Sequence, residues 1–242
     1  SDKILITSSY CGVSKLSINN PIRSTTLDSL FYTKTSYSSY LTKNTYYTGS
    51  PDLNLGIIKL SDKREKNIPC PIIWDFENDE RNNIYCAAWN VIDPDGGLFK
   101  YSNNVLTNIT QQANIKPTGL WCLYYDKETK QLWTGSIDKG IYRVDLSNQK
   151  QFFEPSFFGL KEMEIQHLYN DIYNKTWIGA KNNIIILDKN LNYVCFDNAT
   201  IWKKIEVFLK QKGLYYSTAK TFETYKKRNG FTCFNIVSDN EG

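Results

Sequence analysis

The chain has 242 residues, 41% of them hydrophobic and 14% aromatic, which is enough for one large β domain or two small ones with a sizeable core. Its net charge of +4, from 29 basic and 25 acidic residues, is a mild and scattered excess, with Lys226-Lys227-Arg228 the densest run; it argues against a nucleic-acid or membrane-surface footprint, which needs basic residues clustered on one face. No apolar run approaches the ~20 residues of a membrane-spanning helix, and the six cysteines include no C-x-x-C pair, which excludes a zinc-ribbon or thioredoxin-like motif.

In chain order, the first predicted hairpin is ILITSSYCGVSKLSI, from Ile4 to Ile18. The next is NTYYTGSPDLNLGIIKL, from Asn44 to Leu60. IIWDFENDERNN (Ile72 to Asn83) leads into NIYCAAWNVIDPDGGLFKY (Asn83 to Tyr101). LWCLYYDKETK (Leu120 to Lys130) leads into QLWTGSIDKGIYRVDL (Gln131 to Leu146). IQHLYNDIYNK (Ile165 to Lys175) leads into KTWIGAKNNIIIL (Lys175 to Leu187). NYVCFDN follows, and then GLYYSTAKTFETY (Gly213 to Tyr225) and GFTCFN. Alternating apolar residues rich in aromatic and β-branched types mark strands, and the polar runs between them mark turns.

Sliding the chain on itself aligns these segments. An apolar or aromatic anchor followed by small residues recurs at Leu5, Tyr47, Tyr85, Trp133, Trp177 and Tyr215, at spacings of 38 to 48 residues. Each unit reads strand, polar turn, strand, turn, strand, turn, strand. Four short strands per ~40 residues is the signature of a propeller blade. The expected fold is therefore an all-β propeller, a single domain over 1–242 of about six four-stranded blades. The chain opens at the second strand of a blade, so the expectation is six blades with one incomplete, or most of a seven-bladed ring. Small residues after each anchor would let neighbouring sheets pack closely. Gly12, Gly56, Gly97 and Gly140, with Asn183 in the fifth copy, are expected to supply the positive φ of tight turns. Thr221 fits that role poorly.

The pattern "apolar-x-x-apolar-x-x-D, turn, L-W-I-G-T, turn-G-L-Y-x-Y-D" resembles two-component regulator propeller repeats. LWCLYYDKETKQLWTGSIDKGIYRVD (Leu120 to Asp145) and IQHLYNDIYNKTWIGAKNNIIILD (Ile165 to Asp188) carry the resemblance most closely. Such repeats form extracytoplasmic sensor regions of hybrid two-component receptors, notably in Bacteroidetes. The resemblance implies a non-catalytic sensing module, periplasmic or extracellular, acting on signalling domains of the same longer chain and working as a homodimer. Its ligand would be a small molecule or an oligosaccharide fragment. A stand-alone protein-interaction scaffold, or a propeller glycosidase or lyase, are the competing readings.

Catalytic motifs are sparse. The single histidine, His167, falls on a predicted innermost strand and reads as structural; there is no H-E-x-x-H, G-x-S-x-G or phosphate-binding glycine loop. DPDGG (Asp93 to Gly97) reads as a turn, since Asn104 stands where a calcium loop needs Glu. Neither metal, cofactor nor nucleic acid is expected. In a propeller, the loop between the second and third strands and the loop joining blades share one face around the channel mouth. Tyr10, Arg23, Asp52, Trp89, Phe158 and Trp202 fall in such loops and form the candidate ligand site, with aromatic rings to stack on sugars and polar groups to orient hydroxyls.

Overall fold

The computed structural model describes residues 36–62, 64–90, 96–116, 118–147, 163–171 and 173–197 with their side chains. It also describes the strand backbones at 3–8, 12–17, 25–26 and 150–151, and helical residues 203, 204, 206, 207, 210 and 211. The chain folds as a β-propeller of antiparallel four-stranded blades. A three-stranded sheet comes first: β1 (Lys3–Ser8), β2 (Gly12–Ser17) and β3 (Thr25–Thr26). The second sheet holds β4 (Ser38–Leu41), β5 (Thr45–Ser50), β6 (Asn54–Lys59) and β7 (Glu65–Pro69). The third holds β8 (Ile73–Asn78), β9 (Ile84–Ala88), β10 (Gly97–Ser102) and β11 (Val105–Asn108). The fourth holds β12 (Leu120–Asp126), β13 (Gln131–Ser136), β14 (Ile141–Asp145) and β15 (Lys150–Gln151). The fifth holds β16 (Ile165–Asn170), β17 (Thr176–Ala180), β18 (Asn183–Leu187) and β19 (Tyr193–Asp197). Spatial order follows chain order in every sheet, and β4, β8, β12 and β16, the first strands of successive blades, pack one against the next.

The cores lie between sheets. Tyr47, Leu55, Ile73, Phe76 and Cys86 fill the seam between the second and third. Tyr85, Leu98, Leu123, Leu132 and Tyr142 fill the next. Trp133, Ile141, Ile165, Ile178 and Ile185 fill the last described seam. The aromatic anchors Tyr47, Tyr85, Trp133 and Trp177 occupy the second strands β5, β9, β13 and β17, while Leu5 lies in β1 and Tyr215 lies outside the described residues.

The small residue two positions after the anchor has a clear purpose. A Cβ built on Gly135 would stand 2.6 Å from Ile165 Cγ2 and 2.8 Å from its Cβ, on the first strand of the next blade. A Cβ on Gly49 would stand 2.9 Å from Ile73 Cβ, again on the next blade. Dispersion and apolar burial reward this approach only because no side chain stands in the way.

Turn chemistry departs from the sequence expectation in two places. Gly97 (φ 125°) and Gly140 (φ 80°) adopt positive φ as expected, but Gly56 sits inside β6 opposite Thr48 and does not. There a Cβ would strike Thr48 Oγ1, so the glycine relieves crowding across the sheet. In the fifth copy the positive φ falls on Asn182 (67°), because Asn183 already opens β18 by pairing with Ala180. Gly12 begins β2 opposite Ser8, and Thr221 lies outside the described residues.

The aspartate that closes the first strand of a blade organises the following turn. Asp79 accepts from the amides of Arg81 and Asn83, and from Tyr85 Oη at 3.1 Å. Asp171 accepts from the amides of Tyr173 and Lys175, and from Trp177 Nε1 at 2.8 Å. Asp126 does the same for Glu128 and Thr129. Each carboxylate replaces backbone partners that a tight turn cannot provide. Cys70, Cys86, Cys122 and Cys195 are free thiols, and Cys11 and Cys233 lie outside the described residues.

Candidate ligand-binding mouth

The entry to each first strand is joined to the loop between its second and third strands. Trp89 N donates to Ile72 O at 2.9 Å, Ile137 N to Gly119 O at 3.0 Å, and Lys181 N to Glu164 O at 3.0 Å. These equivalent bonds gather the two loop types on one face, as expected of the channel mouth.

At the same entry the first strands β8, β12 and β16 each carry a bulge. Pairing passes from Ile73↔Ala88 to Asp75↔Ala87 and skips Trp74. It passes from Leu120↔Ser136 to Cys122↔Gly135 and skips Trp121. It passes from Ile165↔Ala180 to His167↔Gly179 and skips Gln166. A bulge leaves its extra residue out of the ladder and re-aims the side chain. Trp74, Trp121 and Gln166 are therefore structural equivalents. Tyr37, just before β4, holds the corresponding end of its blade, with its amide on Gly49 O at 2.9 Å.

The re-aimed rings meet. Trp74 and Trp121 pack edge to face with centroids 4.4 Å apart, and Trp89 meets Trp121 at 5.0 Å in the same manner. Tyr37 stacks on Trp74 at 4.9 Å and is 45% exposed. Trp74 Nε1 donates to Trp89 O at 3.0 Å, which locks two of the indoles together. A Cβ on Gly119 would fall within the Trp89 side chain, 2.7 Å from its Cβ, so only glycine leaves room for that ring. The three indoles are half-buried. Trp121 Nε1 and Gln166 Oε1 are buried and have no hydrogen-bond partner among the described residues. The outcome is an aromatic platform at this end of the blades.

Below the mouth, acidic side chains close the seam between blades. Asp75 Oδ2 accepts from Leu123 N at 2.8 Å, and Glu77 Oε2 from Tyr125 N at 3.4 Å. Both amides lie on β12, which has no strand partner on that side. Desolvation dominates at Asp75 and pushes its carboxyl up to about 7, against the opposing pull of its two backbone donors. Glu77 is raised for the same leading reason.

Of the residues singled out in the sequence, Trp89 belongs to the aromatic cluster. Asp52 lies exposed in the β5–β6 loop, where its amide donates to Ser50 Oγ at 3.1 Å. Tyr10, Arg23, Phe158 and Trp202 lie outside the described residues. His167 follows the bulge in β16, opposite Gly179. Gly97 follows a stretch, 91–95, that is also outside them. Tyr37, Trp74, Trp121 and Gln166 were not anticipated. The signal that marks three of them is their shared position, immediately after the first buried aliphatic of the strand (Ile73, Leu120, Ile165).

The chain is similar to the extracellular domain assigned to a one component system of B. thetaiotaomicron, with 15% identity and a TM-score of 0.62 over 81% of this chain and 26% of that one. It is similar to the extracellular domain assigned to a hybrid two component system of the same organism, with 15% identity and a TM-score of 0.57 over 82% of this chain and 32% of that one. The WD40 β-propeller domain of Doa1 shares 12% identity with a TM-score of 0.58, over 80% of this chain and 64% of that one. The chain thus spans about a quarter to a third of the two bacterial structures, whose type is the one the repeat pattern resembles. No family model matches the chain, and no curated protein matches it.

Proposed function

We propose that the chain is a non-catalytic sensing propeller, part of an extracytoplasmic two-component signalling receptor, and that its channel mouth binds an oligosaccharide fragment. The observation that carries this reading is the cluster of Tyr37, Trp74, Trp89 and Trp121, assembled from three blades by bulges and loops. Aromatic faces stack on the apolar faces of sugar rings. The resemblance to extracellular domains of bacterial signalling proteins supports the extracytoplasmic setting. Binding at the mouth would change how two copies sit together, and so the activity of signalling domains in the same longer chain.

A thermal-shift screen of the purified protein against a panel of oligosaccharides tests the reading. A ligand at about 100 times its Kd stabilises the fold by ~2.7 kcal/mol. A hit whose shift is lost in Tyr37→Ala is the expected result. A panel without a hit, or a hit untouched by Tyr37→Ala, contradicts it.

A further inference from the structure

The first strands of neighbouring blades are joined by a side chain at an equivalent position. Ser38, Asp75 and Cys122 each stand opposite the small residue two places after an anchor, in the pairs Ser38↔Gly49, Asp75↔Ala87 and Cys122↔Gly135. Ser38 Oγ donates to Ile73 O at 2.6 Å, and Cys122 Sγ to Ile165 O at 3.8 Å. In both, the acceptor is the carbonyl of the residue that opens the next blade's first strand. Asp75 departs from this pattern. Ionised, it has no hydrogen to give and accepts instead, through Oδ2 from Leu123 N on β12 at 2.8 Å and through Oδ1 from Phe76 N at 2.8 Å. The residue that opens β12 is Leu120. A protonated carboxyl donates as well as accepts, so a proton gives Asp75 the role of Ser38 and Cys122, with Leu120 O as the matching acceptor.

The position bears on the mouth. Asp75 directly follows Trp74 and Leu120 directly precedes Trp121, the two re-aimed indoles whose centroids are 4.4 Å apart. A change of partner at Asp75 therefore acts on the backbone beside both rings. Asp75 is half-buried at the seam. The titratable groups that act on it or feel its charge are Glu77 on its own strand, Tyr40 on β4, Cys86 on β9 and Cys122 on β12. Tyr47 on β5 lies in the same core. Desolvation keeps the Tyr40 phenol and both thiols protonated through the neutral range. Glu77 adds negative charge that holds the Asp75 proton more tightly, and Lys127, just past β12, bears on Glu77.

We propose that Asp75 is a proton-operated latch between the third and fourth blades that sets the arrangement of the indoles in the mouth. Ionised, it holds Leu123 N. Protonated, it donates to Leu120 O, and the contact between Trp74 and Trp121 shifts with it. The latch belongs to the ligand-free frame and stands whether or not the mouth binds a sugar.

Tryptophan emission of the purified protein, followed from about pH 5 to pH 9 without any ligand, tests it, with far-UV circular dichroism showing that the fold persists. The expected result is a one-proton transition with a midpoint of about 7. Asp75→Asn keeps an acceptor and gains a donor, so its emission should stay at the low-pH value of the native protein throughout. Asp75→Ser, which places the Ser38 arrangement in the third blade, is measured alongside and should also lose the transition. His167, the chain's single histidine, holds the equivalent place in β16 opposite Gly179 and is the competing source of a neutral transition; His167→Gln should leave the transition intact. Absence of a transition in the folded native protein, its persistence in a folded Asp75 variant, or its loss in His167→Gln would overturn the proposal.

Discussion

Two kinds of residue hold the repeat together, and both have a physical role visible in the geometry. The glycine two positions after an anchor is a spacing device. At Gly135 even a methyl group would stand 2.6 Å from Ile165 Cγ2 and 2.7 Å from Cys122 Sγ. Gly135→Ala is therefore expected to destabilise by ~1–3 kcal/mol through overpacking, read as a lower urea midpoint at unchanged slope. The aspartate after the first strand is a turn organiser. Asp171→Ala removes the acceptor for Trp177 Nε1 and two amides. A loss of ~1–3 kcal/mol is expected, and an unchanged midpoint would show that water replaces these bonds freely. The aspartate was legible in the sequence as part of a pattern. Its reason was not, because the pattern shows position and not the three donors converging on one carboxylate.

At the scale of the strand, the seams between blades carry the stability. Trp133 is 4% exposed, packs with Ile141 and Ile165, and lies under the Arg143 guanidinium. Trp133→Ala is expected to cost ~3–5 kcal/mol, measured by chemical denaturation; a loss under ~1 kcal/mol would mean that the seam closes without it. The seam between β8 and β12 adds a pH dependence. Folded Asp75 keeps its proton up to about pH 7, whereas an unfolded aspartate releases it near 4. The folded state therefore binds more protons across that window. Its contribution to stability is complete below pH 4 and is lost as pH rises through 7. The urea midpoint of the native protein should fall between pH 5 and 7.5 by more than that of Asp75→Asn, with Glu77 contributing in the same direction. Equal slopes in the two proteins would remove Asp75 as the cause.

Strand alternation also explains what sequence reading missed. Period-two patterns assign Ile73 and Asp75, or Leu120 and Cys122, to one face and the residue between to the other. A bulge breaks that phase and turns Trp74 and Trp121 toward the mouth. Trp89, in contrast, sits in a loop whose face follows from blade topology alone, and so it was found. Gly56 and Asn183 show the complementary error. Glycine and asparagine suggest turns, but Gly56 serves close packing across β6, and the turn falls on Asn182.

For the whole molecule, repetition turns these local devices into a ring segment with two distinct faces. One gathers strand entries, bulges and long loops into an aromatic cluster. The other gathers tight aspartate turns. The buried inter-sheet cores supply a rigid frame without constraining the loops. The fold was readable because each blade repeats the same small set of demands. The site was less so, because it depends on residues from three blades that no local pattern joins.

Tryptophan fluorescence of the intact protein during titration with an oligosaccharide from the screen is the most direct test of the mouth. Stacking at Trp74, Trp89 and Trp121 predicts a saturable change in emission, with the same Kd as calorimetry and strongly reduced amplitude in Trp121→Phe. An oligosaccharide that binds by calorimetry while leaving the emission unchanged, or giving the same change in Trp121→Phe, would place binding elsewhere and contradict the sensing mouth.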